Sequence, residues 1–207
     1  MTSRAAAFAT RSFIVFSILA FGLFGYGCGG NNDHATLSGS FVASGTATAV
    51  DLVKLVPQSS SGARIVVQAV IYGPDVALDM YTFAFDVKIG NTNVLAYVPN
   101  SATAGNALTA SAGQTITAIA GPDASDASHI VVGVGKLGGG PGNGVAGASA
   151  VIVTLAFDVL REGTSTLAIA ATPAPSVVDH NGAAIGSITF DAANGTVTGI
   201  STGGGPY

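Results

Sequence analysis

Ala150–Gly199 reads AVIVTLAFDVLREGTSTLAIAATPAPSVVDHNGAAIGSITFDAANGTVTG. Apolar and polar residues alternate within its short runs, and Gly, Pro, Asn and Asp punctuate them. Period-two alternation over five to nine residues is the mark of a strand with one buried face. Val151, Val153, Leu155, Phe157 and Val159 form one such stripe. Thr166–Ala170, Ser176–Asp179, Ala184–Phe190 and Gly195–Ile200 follow as shorter strands. Asn181-Gly182 and Asn194-Gly195 are hairpin signals, because a type I′ turn needs positive φ at both central residues.

Upstream, the same grammar continues. Tyr81–Ile89 places Tyr81, Phe83, Phe85, Val87 and Ile89 on one face, and Thr82, Ala84, Asp86 and Lys88 on the other. A helix would scatter these aromatics around its axis, whereas a strand gathers them into one stripe. Arg64–Tyr72 is a further strong strand, stopped by Gly73-Pro74. Thr46–Val56 is a weaker one, ending at Pro57 before a Ser59–Gly62 turn. Asn93–Val98, Thr115–Ile119 and His129–Val134 complete the set, and Gly138–Gly147 is a flexible loop. About nine short strands with no periodic helix predict an all-β fold, an antiparallel β-sandwich of jelly-roll topology, over residues 46–200. Gly29–Gly45 reads as a polar tether, so that 28–45 is flexible, and 201–207 as a frayed tail.

The composition agrees. Of 207 residues, 48% are hydrophobic, 9% are charged and 29 are Gly, with only three Lys and one Glu. That is the make-up of strands and tight turns, not of exposed helices. Arg4 and Arg11 lie in the first 27 residues. Beyond them, five basic residues against eleven acidic ones leave a net charge of −6. The cations are scattered, so nucleic acid, which demands a clustered positive face, is not an expected partner.

Met1–Gly27 reads as an export signal: Arg4 and Arg11 precede the uninterrupted apolar run Phe13–Phe24. A spanning helix needs roughly 20 apolar residues, and this run is shorter. Cys28, the chain's one cysteine, permits no internal disulfide and no cysteine-based zinc site. The segment Gly25-Tyr26-Gly27-Cys28 resembles a bacterial lipoprotein signal, with Gly25 where Leu usually stands. That resemblance implies a lipid anchor at Cys28 and attachment to the cell envelope, at the outer membrane or cell surface. A thioether would also explain a lone cysteine in an oxidising compartment.

Three further segments carry a second resemblance. Tyr81–Leu95 (YTFAFDVKIGNTNVL) joins an aromatic stripe to Asn-Val-Leu. Leu155–Leu167 (LAFDVLREGTSTL) follows a Gly-rich loop and enters a Gly-Thr-Ser turn. Val178–Ile185 (VDHNGAAI) and Asn194–Thr198 (NGTVT) close the chain. Together, over roughly residues 64–200, they resemble the cohesin domains of cellulosome scaffolds. The resemblance implies a non-catalytic β-sandwich that binds a protein partner, a dockerin-like module, in the setting of polysaccharide breakdown. Aligned on the aromatic stripe, the family's partner-contacting positions fall at Thr82 and Ala84, neither being the Asn or Asp of cellulosomal recognition. On the outward face of Tyr81–Ile89, the expected partner-binding residues are Thr82, Asp86 and Lys88.

Catalysis finds little support. His34, His129 and His180 are dispersed, and His180 and Asp179, as strand neighbours, point to opposite faces. One Glu and turn-bound aspartates do not make a glycosidase pair. No catalytic residue, cofactor or metal site is expected; Asp123, Asp126 and Ser128 fall short of the six to eight oxygens that Ca²⁺ prefers. The alternative is a carbohydrate-binding module that binds polysaccharide directly. It would need an exposed aromatic platform, and the chain has no Trp; Tyr72 and Tyr97 are the aromatics open to that role.

Overall fold

The computed structural model describes residues 36–45, 49–73, 78–144, 147–193 and 195–202. The chain divides into Met1–Asn32, which lies outside the described residues with Cys28 and the leader, and Asp33–Tyr207. The second unit is all β among its described residues. The Gly203–Tyr207 tail lies outside them.

Among the described residues, thirteen strands form two sheets. The first contains β1 (Thr36–Val42), β13 (Gly195–Thr202), β10 (Gly163–Ile169), β4 (Thr82–Ile89), β8 (His129–Leu137) and β7 (Thr115–Pro122) in that spatial order, with β11 (Ser176–Val178) also on β4. The second contains β12 (Thr189–Phe190), β2 (Leu52–Ser61), β3 (Arg64–Tyr72), β9 (Ser149–Val159) and β5 (Leu95–Tyr97), with β6 (Thr103–Ala104) on β9. Every pairing is antiparallel except β12 on β2. The chain crosses between sheets from β3 to β4 to β5 and again from β8 to β9 to β10, which is the wiring of a sandwich.

The core is what the two stripes expect. Phe83, Phe85, Val87 and Ile89 of β4 face Val153, Leu155, Phe157 and Val159 of β9, all buried. Burial of each such side chain stabilises by ~1.5–3 kcal/mol. Val151 departs from the stripe. The β3–β9 register shifts between Ala69 and Val70, so that Ala69 pairs with Val153 and Val70 with Val151. Ile152 is the extra residue of a bulge. It turns inward and is buried, and Val151 is left half-buried.

Four other expectations are corrected. Thr36–Val42, within the expected tether, is a strand that pairs along its whole length with β13. The sandwich therefore begins before residue 46. Pro57 does not end β2, which continues to Ser61; beyond Val53 the strand has β3 as its one neighbour, and the register slips at Pro57/Ser59. Proline is tolerated where its missing N–H removes no ladder bond. The Ala184–Phe190 strand contracts to Thr189–Phe190. At Asn181-Gly182, only Gly182 takes positive φ (83°), and its N–H donates to Asp179 O at 3.0 Å. That is a turn with one left-handed glycine, not type I′. Asn194 lies outside the described residues.

Candidate partner-binding face

Because β4 buries its aromatic stripe, its alternate residues are directed to the outer face of the first sheet. There the register aligns them in rows. Thr117, Gly135 and Thr82 make one row across β7, β8 and β4; Ile119, Gly133 and Ala84 make the next; Gly121, Val131 and Asp86 the third. Ile119 is 66% exposed, Leu137 57% and Val131 45%. The glycines keep the middle strand low. A Cβ on Gly133 would stand 3.2 Å from the Ile119 side chain, so Ile119 leans across the space it leaves. The result is a shallow hollow of about 210 Å³ bordered by Thr82, Thr117, Ile119 and Leu137. Sequence reasoning missed this half of the face, although Val131–Lys136 (VVGVGK) alternates glycine with valine and could have shown it.

The three residues expected from the sequence are separated by this geometry. Thr82 is half-buried beside the hollow, and Lys88 is exposed at the opposite end of β4. Asp86 is only 5% exposed. It points to the outer face, but its carboxylate is engaged there by His129, so it does not offer a free carboxylate to a partner. Its Oδ2 lies 3.2 Å from His129 Nδ1. His129 Nε2 lies 3.9 Å from Asp126 Oδ2.

The loop above this pair is self-contained. Asp123 Oδ1 accepts the Ser125 N–H at 2.7 Å and the Asp126 N–H at 3.2 Å, together with the Ser125 hydroxyl at 2.5 Å. Asp126 Oδ1 accepts the Ser128 hydroxyl at 2.6 Å and its N–H at 2.9 Å. The Ser125 hydroxyl first, then the backbone donors, hold the Asp123 carboxyl below the usual carboxylate range. The Ser128 hydroxyl and N–H do the same for Asp126, aided weakly by His129 and Lys88. These oxygens serve their own loop, as turn aspartates do. Among the described residues no group of three or more His, Cys, Asp or Glu is arranged to hold a metal ion.

His180 pairs with Asp79, not with its neighbour Asp179, whose Oδ1 instead accepts the Asn181 and Ala183 N–H groups, each at 2.8 Å. The hydrogen bond from His180 holds Asp79 below the usual range. These partners are 101 residues apart, so no sequence signal joins them. Of the tyrosines considered as sugar platforms, Tyr97 is buried and Tyr72 half-buried. Every large apolar residue exposed among the described residues is aliphatic.

The chain's structural neighbours are cohesin modules. A type II cohesin domain from the cellulosome of Acetivibrio cellulolyticus is 16% identical, with a TM-score of 0.47, over 70% of this chain and 95% of that one. The sixth cohesin of scaffoldin B from the same organism, solved in complex with a mutant Cel5 dockerin, is 18% identical with a TM-score of 0.47, over 70% and 96%. A cohesin module from a Clostridium perfringens family 33 glycoside hydrolase is 10% identical with a TM-score of 0.42, over 82% and 96%. No family model and no curated protein sequence matches the chain.

Proposed function

We propose that this chain is a non-catalytic receptor module that holds a protein partner, of the dockerin kind, on the outer face of β4, β8 and β7. One observation carries the reading: one sheet face exposes Ile119, Val131 and Leu137 around a glycine-floored hollow, bordered by threonines. Apolar residues gathered on one exposed face are the usual sign of a protein contact. The face offers no stacking ring, which a polysaccharide ligand would call for, so the carbohydrate-binding reading is the weaker one. The sequence resemblance to lipoprotein signals supports export and anchoring through Cys28 at the outer membrane or cell surface, with Gly29–Asp33 as part of the tether.

The test uses purified Asn31–Tyr207 against a panel of dockerin modules by calorimetry, with an insoluble-polysaccharide pelleting assay alongside. The expected result is saturable binding to a dockerin that is lost in the Ile119→Asp/Leu137→Asp variant while the melting temperature is kept. Binding that survives the double variant would move the site off this face. Pelleting with polysaccharide and no dockerin binding would replace the reading with a carbohydrate-binding one.

A further inference from the structure

On the flank where β5 and the end of β7 belong to different sheets, the sandwich leaves a pocket of about 220 Å³. Its floor is the core itself, since Ile89, Leu95 and Ile130 are each at most 2% exposed. Tyr97 forms one wall, and its ring stands edge-on to Phe157 with centroids 5.8 Å apart. Its hydroxyl donates to Ala120 O at 3.4 Å, at the long end of a hydrogen bond. Pro99 and Pro122 border the mouth, and their fixed φ stiffens it. No charged residue lines the pocket, and its side chains bring only the Thr92 and Tyr97 hydroxyls.

Water in such an apolar hollow has few polar partners on the protein, and displacing it by an apolar group gains affinity. Its volume is on the order of the roughly 150 Å³ enclosed cavity that takes up benzene, with one side open to solvent. The pocket is also built in advance. Ala127, on its rim, belongs to the loop that Asp123 and Asp126 lock with their own hydrogen bonds, and the His129 N–H donates to Asp126 O at 2.9 Å. A preformed site binds without first ordering its walls.

We infer that this pocket is a binding site for a small neutral aromatic molecule of about six to nine heavy atoms. The ring lies between Pro99, Pro122 and Ala127, the exposed part of the lining, with Leu95 and Ile130 beneath them, and the Tyr97 hydroxyl at the edge takes one polar substituent. A carboxylate is excluded, because no cation is there to meet it. This site is separate from the sheet face proposed for the protein partner and stands without it.

The experiment titrates methyl-labelled protein with toluene and, separately, with benzoate, reading Ile, Leu and Val methyl resonances. Saturable shifts with toluene, confined to Ile89, Leu95 and Ile130, are expected, with benzoate at least about tenfold weaker. Ala127→Phe, at an exposed loop position, fills the mouth and weakens toluene binding by about tenfold or more. Thr92→Phe, at an exposed turn position of the lining, does the same from the other side. The Phe83 side of the core, read by Val87 and Val134, keeps its wild-type resonances in both variants. Absence of saturable shifts up to the solubility of toluene overturns the inference. So do shifts centred on other methyls, or undiminished binding in a variant whose core resonances are intact. If both variants fail to fold, the wild-type methyl map decides by the same criterion.

Discussion

Asp86 shows how far one residue's role depends on its neighbours. Alternation along β4 directs it outward, and outward it points, yet it is buried, beside His129 of β8. A buried carboxylate keeps its place only with a partner, and His129 Nδ1 at 3.2 Å is that partner. Asp86→Ala leaves a half-buried imidazole nitrogen without its acceptor, so a loss of about 1–2 kcal/mol is expected in urea unfolding. Asp86→Asn, which keeps an acceptor, loses less. Asp123 and Asp126 give a pH prediction with a definite sign. Both carboxyls titrate below the ordinary value of 3.8 in the folded chain. The stability they contribute is therefore present above 3.8 and is lost as pH falls through their lowered folded values. Melting temperatures between pH 5 and 2 should fall less steeply in Asp126→Asn than in the wild type. That the aspartates sit in turns was legible as a class; the pairing of Asp123 with Ser125 and of Asp126 with Ser128 was not. The Asp86–His129 contact was not either, because it depends on a register between β4 and β8 that no local pattern encodes.

At the scale of elements, strands with large inner residues were legible and strands with glycine inner faces were not. β4 follows from its alternation, and β3 from its apolar run and the Gly73-Pro74 stop, almost to the residue. β1 was hidden because its inner stripe is Leu37, Gly39, Phe41, and glycine next to a polar segment reads as tether. The structure supplies the reason for the glycine. A Cβ on Gly39 would stand 2.6 Å from a Val159 methyl and 3.0 Å from one of Ile65. Gly39→Ala thus overpacks the seam between the sheets, with an expected loss of about 1–3 kcal/mol. The shorter side chain in Val159→Ala removes the nearest clash. In a double-mutant cycle the two substitutions together should cost less than their sum, read from urea midpoints. Strict additivity would mean that β1 does not pack against Val159. The bulge in β9 was equally hidden, since one inserted residue shifts the parity of the upstream half without disturbing its apolar composition.

At the scale of the whole molecule, the same sheet carries the fold on one face and the proposed contact on the other. The sequence signals for the two differ in strength. Phe83 and Phe85 announce the inner face, because aromatics at period two have one economical explanation. The outer face is assembled from β7, β8 and β4, and its hollow comes from Gly133 and Gly135, which look like turn residues when read singly. The two faces respond to substitution in opposite ways. Phe83, fully buried, fills core volume, so Phe83→Ala should cost about 3–5 kcal/mol in chemical unfolding. Ile119 and Leu137 are more than half exposed, and Ile119→Asp or Leu137→Asp removes little that folding buries. Each should leave stability within about 0.5 kcal/mol of wild type, even though it places a charge at the centre of the proposed contact. A cost of several kcal/mol at Ile119 would instead mean that the face is held closed by this chain itself. It would then serve folding rather than a partner.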